Sequence, residues 1–402
     1  MAKADRILLL VVVGVLAAAA IVWITSRSPR PTETAVPDPD NLALLVVGIE
    51  GLEPSIMDGL IAEGRLPNVA ALMERGATIG LEGLGGEVKQ GFGWACVASG
   101  AVPVPKPVGW TKEEPGVRDP LLMRPTPLWE TMSEHGHAVS VVGWPGTWPA
   151  VDINGVMVGP YVPYVGARDH GEDLTPSVRP VTELPKIDPL IIPWEGVPRR
   201  WLGRFFQYDG PLGYEALTSQ NFAVLQQSAA GDRSMLDVSR LVAPGDGGSL
   251  FVFLPGLNGV TLRFWLYWDP NVRARALEFV GDQDYFLAVS DGLSVTIERY
   301  YEFIDEALGL LMGWVAEDGT IAVVSDHGFV PVEIDDAGRP TIGAEVYSDR
   351  GICVIAGPRV VGGARVDDAS IRDVAPTIAE AANLPAPPQA EGEVLGSVLT
   401  TP

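Results

Sequence analysis

The sequence predicts an α/β fold, a mostly parallel central sheet with helices on both faces, and three observations predict it. Ala43 to Ile49 and Ile321 to Val324 are uninterrupted apolar runs rich in β-branched residues, the pattern of strands buried on both faces. Amphipathic helical stretches lie between such runs, so strands and helices alternate. Both runs end in polar residues, Glu50 after the first and Ser325-Asp326-His327-Gly328 after the second. Open α/β sheets keep their ligands at the carboxyl ends of strands, and Asp beside His is a chemically sensible start to a zinc site.

A chain of 402 residues holds one large α/β domain with insertions, or two domains. Its hydrophobic share of 47% and mean hydropathy of +0.19 supply a real core and exclude global disorder. The formal net charge is −23 and the pI about 4.5, so the surface repels phosphate backbones, which excludes nucleic acid as a partner. Cys96 and Cys353 are the only cysteines, too few for a disulfide scaffold or a cysteine zinc cluster.

The amino terminus reads as a membrane anchor. After a six-residue head, Ile7 to Ile24 is an uncharged apolar run of 18 residues, and a helix of that length crosses about 27 Å of hydrocarbon. Trp23 stands where an interfacial aromatic belongs. The competing reading is a cleaved signal peptide with small residues at Ala17 to Ala20, but Ile21-Val22-Trp23-Ile24 continues the apolar run where a polar cleavage region would be. Lys3 and Arg6 on one side balance Arg27 and Arg30 on the other, so basic residues leave the orientation open. A short head before a long folded domain favours an extracytoplasmic domain. Ser26 to Asp40 is proline-rich and polar, an extended tether.

Beyond the first strand, Ser55 to Glu63 and Leu66 to Arg75 read as short amphipathic helices, the second with Pro67 in its first turn. A helix from Pro127 to His135 precedes a strand at Ala138 to Val142. Residues 155–248 are rich in proline and poor in periodicity, and read as an insertion or cap between the two parts of the α/β domain, 41–154 and 249–402. Leu250 to Leu254 is a further strand. Val295 to Val315 is a long helix with Ile297, Tyr300, Tyr301, Ile304, Leu308 and Leu311 at helical spacing. Gly351 to Ala356 reads as the last strand and Ile371 to Ala382 as the last helix.

Six stretches taken together carry a resemblance. LLVVGIEGLEPSIMDGLIAEGRLPNVAALMERGA, GFGWACVASG, VVGWPGTWPA, FLPGLNGVTLRFWLYWDP, VVSDHGF and RGICVIAGPRVVGGARVDDASIRDVAPTIAEAANLPAP occur in an order and spacing similar to the type I phosphodiesterase and nucleotide pyrophosphatase family of the alkaline phosphatase superfamily. The resemblance covers residues 43–160 and 250–396. It implies an alkaline phosphatase-like fold and hydrolysis of phosphate esters with two metal ions, usually zinc, about 4 Å apart. It also implies a metal-bound serine or threonine nucleophile that forms a covalent intermediate.

Carried over position by position, the resemblance implies a site with most of its working parts replaced. The first metal-binding aspartate falls on Glu50, an oxygen ligand one methylene longer. The nucleophile, which follows a tryptophan, falls after Trp94 on Ala95, which has no nucleophilic atom. The next aspartate and histidine fall on Asn258 and Leu262, Asp326 and His327 match the following pair, and the final histidine falls on Tyr347. The chain has four histidines, His135, His137, His170 and His327. His135 and His137 stand away from the ligand positions, and only His170 is placed to substitute from elsewhere.

The bland readings stand beside these. Asp326 and His327 either hold a residual zinc or manganese or hydrogen-bond the strand-end loops. Glu50 is either a ligand to that metal or a solvated or salt-bridged loop acid. Cys96 reads as a small hydrophobe before a displaced nucleophile, and a Cys96–Cys353 bridge is conceivable at the sheet end. Trp144 and Trp148 either line a cleft or pack, and Gly85, Gly86, Gly91 and Gly93 lack the GK[ST] of a phosphate loop. The leading expectation is a membrane-anchored pseudoenzyme without a cofactor, binding a membrane or envelope partner. The alternative is a hydrolase working with one metal on Glu50, Asp326 and His327.

Overall fold

The computed structural model describes residues 39–84, 92–103, 125–162, 174–194, 197, 199–207, 219–330, 335 and 347–400. The chain divides into two units, Met1–Asp38 and Pro39–Pro402, and the described residues belong to the second. The anchor expected at 7–25, most of the tether and His170 lie outside them. Among the described residues no helix is long and apolar enough to cross a membrane.

Among the described residues eleven strands form: β1 (Leu42–Ile49), β2 (Ala77–Glu82), β3 (Val139–Val142), β4 (Met157–Val158), β5 (Val178–Arg179), β6 (Ser249–Leu254), β7 (Val315–Ser325), β8 (Gly328–Phe329), β9 (Tyr347–Ser348), β10 (Arg350–Ala356) and β11 (Arg365–Ser370). Nine of them form one sheet in the order β11-β2-β10-β7-β1-β6-β3-β4-β5, and β8 and β9 form a ribbon. The central strand β1 pairs parallel with β6 and with β7. Antiparallel pairing brings in β10 between β7 and β2, and β5 on β4. The α/β class with a largely parallel sheet is therefore as the apolar runs predict.

Ten helices matter for the site and its support. They are α1 (Pro54–Ala62), α2 (Pro67–Arg75), α3 (Phe92–Ser99), α4 (Leu128–Glu134), α5 (Ser219–Val242), α6 (Gly256–Trp268), α7 (Pro270–Leu277), α8 (Gln283–Leu293), α9 (Thr296–Met312) and α10 (Val374–Ala381). The final helix is shorter than the sequence suggests, because Ile371–Asp373 forms a 3-10 turn capped by Ser370. Poor periodicity over residues 155–248 concealed α5, whose Leu225, Ala229, Ala230, Met235 and Leu236 are buried. The same stretch adds β4 and β5 to one edge of the main sheet.

Alternation along β1 divides the core between the two faces of the sheet. Leu45, Val47 and Ile49 pack with the apolar faces of α1, α2, α5, α6 and α9. Leu44 and Val46 face the other way, with Phe251, Phe253, and residues of α3, α4 and α10. Gly48 lies on this second face, where a Cβ would come within 2.8 Å of both Trp94 and Phe253. The missing side chain lets Trp94 seat on the strand, edge-to-face with Phe253 at 4.6 Å and with Trp144 at 5.4 Å. Trp144 is thus a packing residue, fully buried, and Trp148 meets Tyr161 at 6.3 Å.

This aromatic seat fixes α3 against the sheet end, so it is the contact to test. A Trp94→Ala variant is expected to lose about 3–5 kcal/mol of unfolding free energy, measured by urea denaturation followed through tryptophan fluorescence.

Candidate functional site at the carboxyl end of the sheet

Register brings three chain segments to one level. Gly48 of β1 pairs with Val324 of β7, and Ile49 with Leu254 of β6. Glu50, Asp326 and the start of α6 therefore leave the sheet side by side. Gly51 has φ +77 and turns the chain sharply after Glu50; that conformation is strained for any residue with a Cβ. Two side chains then stitch the loops. Ser325 Oγ accepts from Leu52 N at 3.0 Å and donates to the His327 carbonyl at 2.9 Å. Glu53 caps α1 through Ser55 N at 3.1 Å and accepts from Phe329 N at 2.8 Å, while its own N–H donates to Tyr301 Oη at 2.9 Å.

Within that frame His327 Nε2 stands 3.7 Å from Asp326 Oδ1 and 4.0 Å from Glu50 Oε1. These are ion-pair separations, too long for hydrogen bonds. The other ring nitrogen, Nδ1, lies 3.0 Å from the Gly328 carbonyl; a carbonyl only accepts, so Nδ1 carries a proton. Asp326 is 9% exposed, and its Oδ2 lies 2.3 Å from where a Cβ on Gly93 would be. The first turn of α3 thus closes directly over the carboxyl group. Asp326 Oδ1, His327 Nε2 and Asn258 Oδ1 are all buried with no hydrogen-bond partner.

Burial pushes the Asp326 carboxyl up to about 7; Glu50 adds to the rise and His327 opposes it. At His327 burial acts against the charged form, yet the pull of Glu50, Asp326 and the Gly328 carbonyl prevails and the net shift is upward.

The positions that the resemblance assigns to the other ligands hold different chemistry. Tyr347, brought opposite Phe329 by the β8–β9 ribbon, lies with its ring centroid 4.4 Å from that of His327. Asn258 Nδ2 donates to Tyr347 Oη at 3.4 Å. One turn further along α6, Leu262 presents carbon alone to the adjoining cleft. Ala95 lies on α3 two residues beyond Gly93. Cys96 and Cys353 are buried free thiols, which corrects the conceivable bridge; burial pushes each up to about 12, far from a thiolate at neutral pH. His135 precedes β3 at the opposite end of the sheet, its Nδ1 on the Thr131 carbonyl at 2.8 Å.

Sequence reasoning missed Asp232. It is fully buried on α5, where it accepts from Gly256 N at 3.0 Å and from Tyr300 Oη at 2.8 Å, and so caps the first turn of α6. Burial pushes its carboxyl up to about 7, with Glu50 adding to the rise against the Tyr300 and Gly256 hydrogen bonds. No local signal distinguishes it from a surface acid, because its partners lie 24 and 68 positions away. The cleft beyond, of about 590 Å3, is lined by Glu50, Val224, Gln227, Ser228, Pro255, Gly256, Asn258, Gly259, Leu262 and Arg263.

The donor set does not fit a two-metal centre. Leu262 has no donor atom, Tyr347 lies against the imidazole, and Asn258 brings no charge to balance a dication. Among the described residues no group of three or more His, Cys, Asp or Glu side chains is arranged to hold a metal ion.

A solved structure of the alkaline phosphatase PafA matches over 91% of this chain and 100% of its own, at TM-score 0.50 and 10% identity, so the fold is alkaline phosphatase-like. The model of the type I phosphodiesterase / nucleotide pyrophosphatase family matches residues 44–394, and the chain belongs to that family. It is also similar to murine ectonucleotide pyrophosphatase / phosphodiesterase 5, at 12% identity over 89% of this chain and 100% of that one, TM-score 0.40. A phosphonate monoester hydrolase from Silicibacter pomeroyi matches at 14% identity over 89% of this chain and 76% of its own, TM-score 0.44. No curated protein matches the chain in sequence.

Asp232 gives the site a measurable pH signature. Its folded-state value near 7 lies above the ordinary 3.8, so its contribution to stability is complete below the unfolded value and is lost as pH rises through about 7. An Asp232→Asn variant is expected to lose less stability than the native chain between about pH 5 and about pH 8, the difference reaching about 2 kcal/mol. Urea midpoints across that range measure it.

Proposed function

We propose that this family member no longer hydrolyses phosphate esters by the two-metal route and instead binds a ligand at the cleft beside the old site. One observation supports the reading: Ala95, Asn258, Leu262 and Tyr347 stand at the positions that the resemblance assigns to the nucleophile and ligands, and Tyr347 packs on His327 at 4.4 Å between ring centroids. Restoring the family chemistry would mean replacing several side chains at once and moving an aromatic ring out of van der Waals contact.

The proposal includes the setting. Ile7 to Ile24 anchors the chain in a membrane, with the folded domain on the extracytoplasmic side, and the partner is a membrane or envelope component. The net charge of −23 supports the exclusion of nucleic acid.

A second reading has its own support. Glu50, Asp326 and His327 do converge, with unpaired buried Asp326 Oδ1 and His327 Nε2. Those donors are the ones that a single zinc or manganese would use, and a hydrolase of reduced rate would follow.

Release of nitrophenol from bis(p-nitrophenyl) phosphate, with zinc or manganese added to the full chain, separates the two readings. The expected rate is the uncatalysed background, unchanged in a His327→Ala variant. Turnover that disappears on the His327→Ala change would establish the hydrolase reading in its place. Ala95→Thr alone is expected to add nothing, since a nucleophile without metal activation stays weak.

A further inference from the structure

Phosphate-ester sites hold their anionic substrates with cations. At this site the cleft lining carries one acid, Glu50, and one cation, Arg263. Glu50 lines the cleft, its side chain 16% exposed. Asn258 is also on the lining, and its Oδ1 is a buried acceptor with no hydrogen-bond partner. The guanidinium on the lining, Arg263, already donates through Nε to Asn221 Oδ1 on α5. An anion entering beside Glu50 would meet a carboxylate and an orphaned acceptor, and both interactions are repulsive in a partly desolvated pocket.

We propose that the cleft binds a small polar molecule through a protonated amine; the inference rests on the loss of two-metal hydrolysis proposed above. An ammonium group brings three donors and a positive charge. Placed between Glu50 and Asn258, it gives the carboxylate a counter-charge and gives Asn258 Oδ1 the donor it lacks, where leaving a buried acceptor unpaired is costly. Ser228 and Gln227 then offer hydroxyl and amide groups to the remainder of the ligand, and Leu262 packs against its carbon skeleton. The volume, about 590 Å3, suits a small ligand. The net charge of −23 draws cations toward the protein at long range.

The test is calorimetric titration of the full chain in detergent, with ions stripped by a chelator, using four probes. Ethanolamine and glucosamine carry the amine, N-acetylglucosamine has it neutralised, and glucose 6-phosphate carries the anion. Both amines are expected to bind, with the acetylated sugar and the phosphate weaker by about tenfold or more. Glu50→Gln is expected to weaken glucosamine by about tenfold, and Leu262→Lys, which places a cation in the cleft, to abolish binding, each in a variant with native circular dichroism. Failure of both amines to bind, equal binding of glucose 6-phosphate, or indifference to Glu50→Gln would overturn the inference. Phosphodiester turnover with added metal would instead overturn the reading beneath it, so the two failures are distinguishable.

Discussion

The parallel register of β1 between β6 and β7 governs the functional end of this molecule. Gly48 lies level with Val324, and Ile49 with Leu254. A slip of one residue would turn Glu50 away from His327 and put the apolar side chains of β1 on the wrong faces. Trp94, seated over Gly48, ties α3 to the same strand, and Ser325 and Glu53 bond the loops that leave β1 and β7. The α/β sheet thus brings Glu50, Asp326 and His327 to one level at its carboxyl end.

Two carboxyl groups, Asp232 and Asp326, are buried near this end, and both are pushed up to about 7, chiefly by burial. Asp232 is satisfied by hydrogen bonds and serves the amino end of α6. Asp326 faces an imidazole without a hydrogen bond, beneath the first turn of α3. Unpaired polar atoms in a native interior call for an explanation. Under the function proposed above, Asp326 Oδ1 and His327 Nε2 are what is left of a donor set whose other positions hold carbon, amide or phenol.

The sheet was legible because its inner strands are continuous apolar runs, and Glu50, Asp326 and His327 were legible because they stand just past such runs. β2 and β11 were not, since both lie toward one edge of the sheet and β11 reads as Arg-Val-Asp-Asp-Ala-Ser, mostly polar. The 24-residue helix α5 escaped because small and polar residues interrupt its apolar stripe. Asp232 and Glu53 act through partners distant in sequence, and nothing local separates a buried capping acid from a solvated one. The cleft lined by Gln227 and Ser228 needed α5 in place before it existed as a feature at all.

The central claim is that this sheet end lacks the donor set of a two-metal centre, and the most direct measurement is the zinc bound per chain. The full chain would be equilibrated with excess zinc, passed through gel filtration and assayed by inductively coupled plasma mass spectrometry, beside an Asp326→Ala, His327→Ala double variant. The account predicts that the native chain retains no more zinc than the variant. Two zinc ions per native chain, lost in the variant, would contradict it.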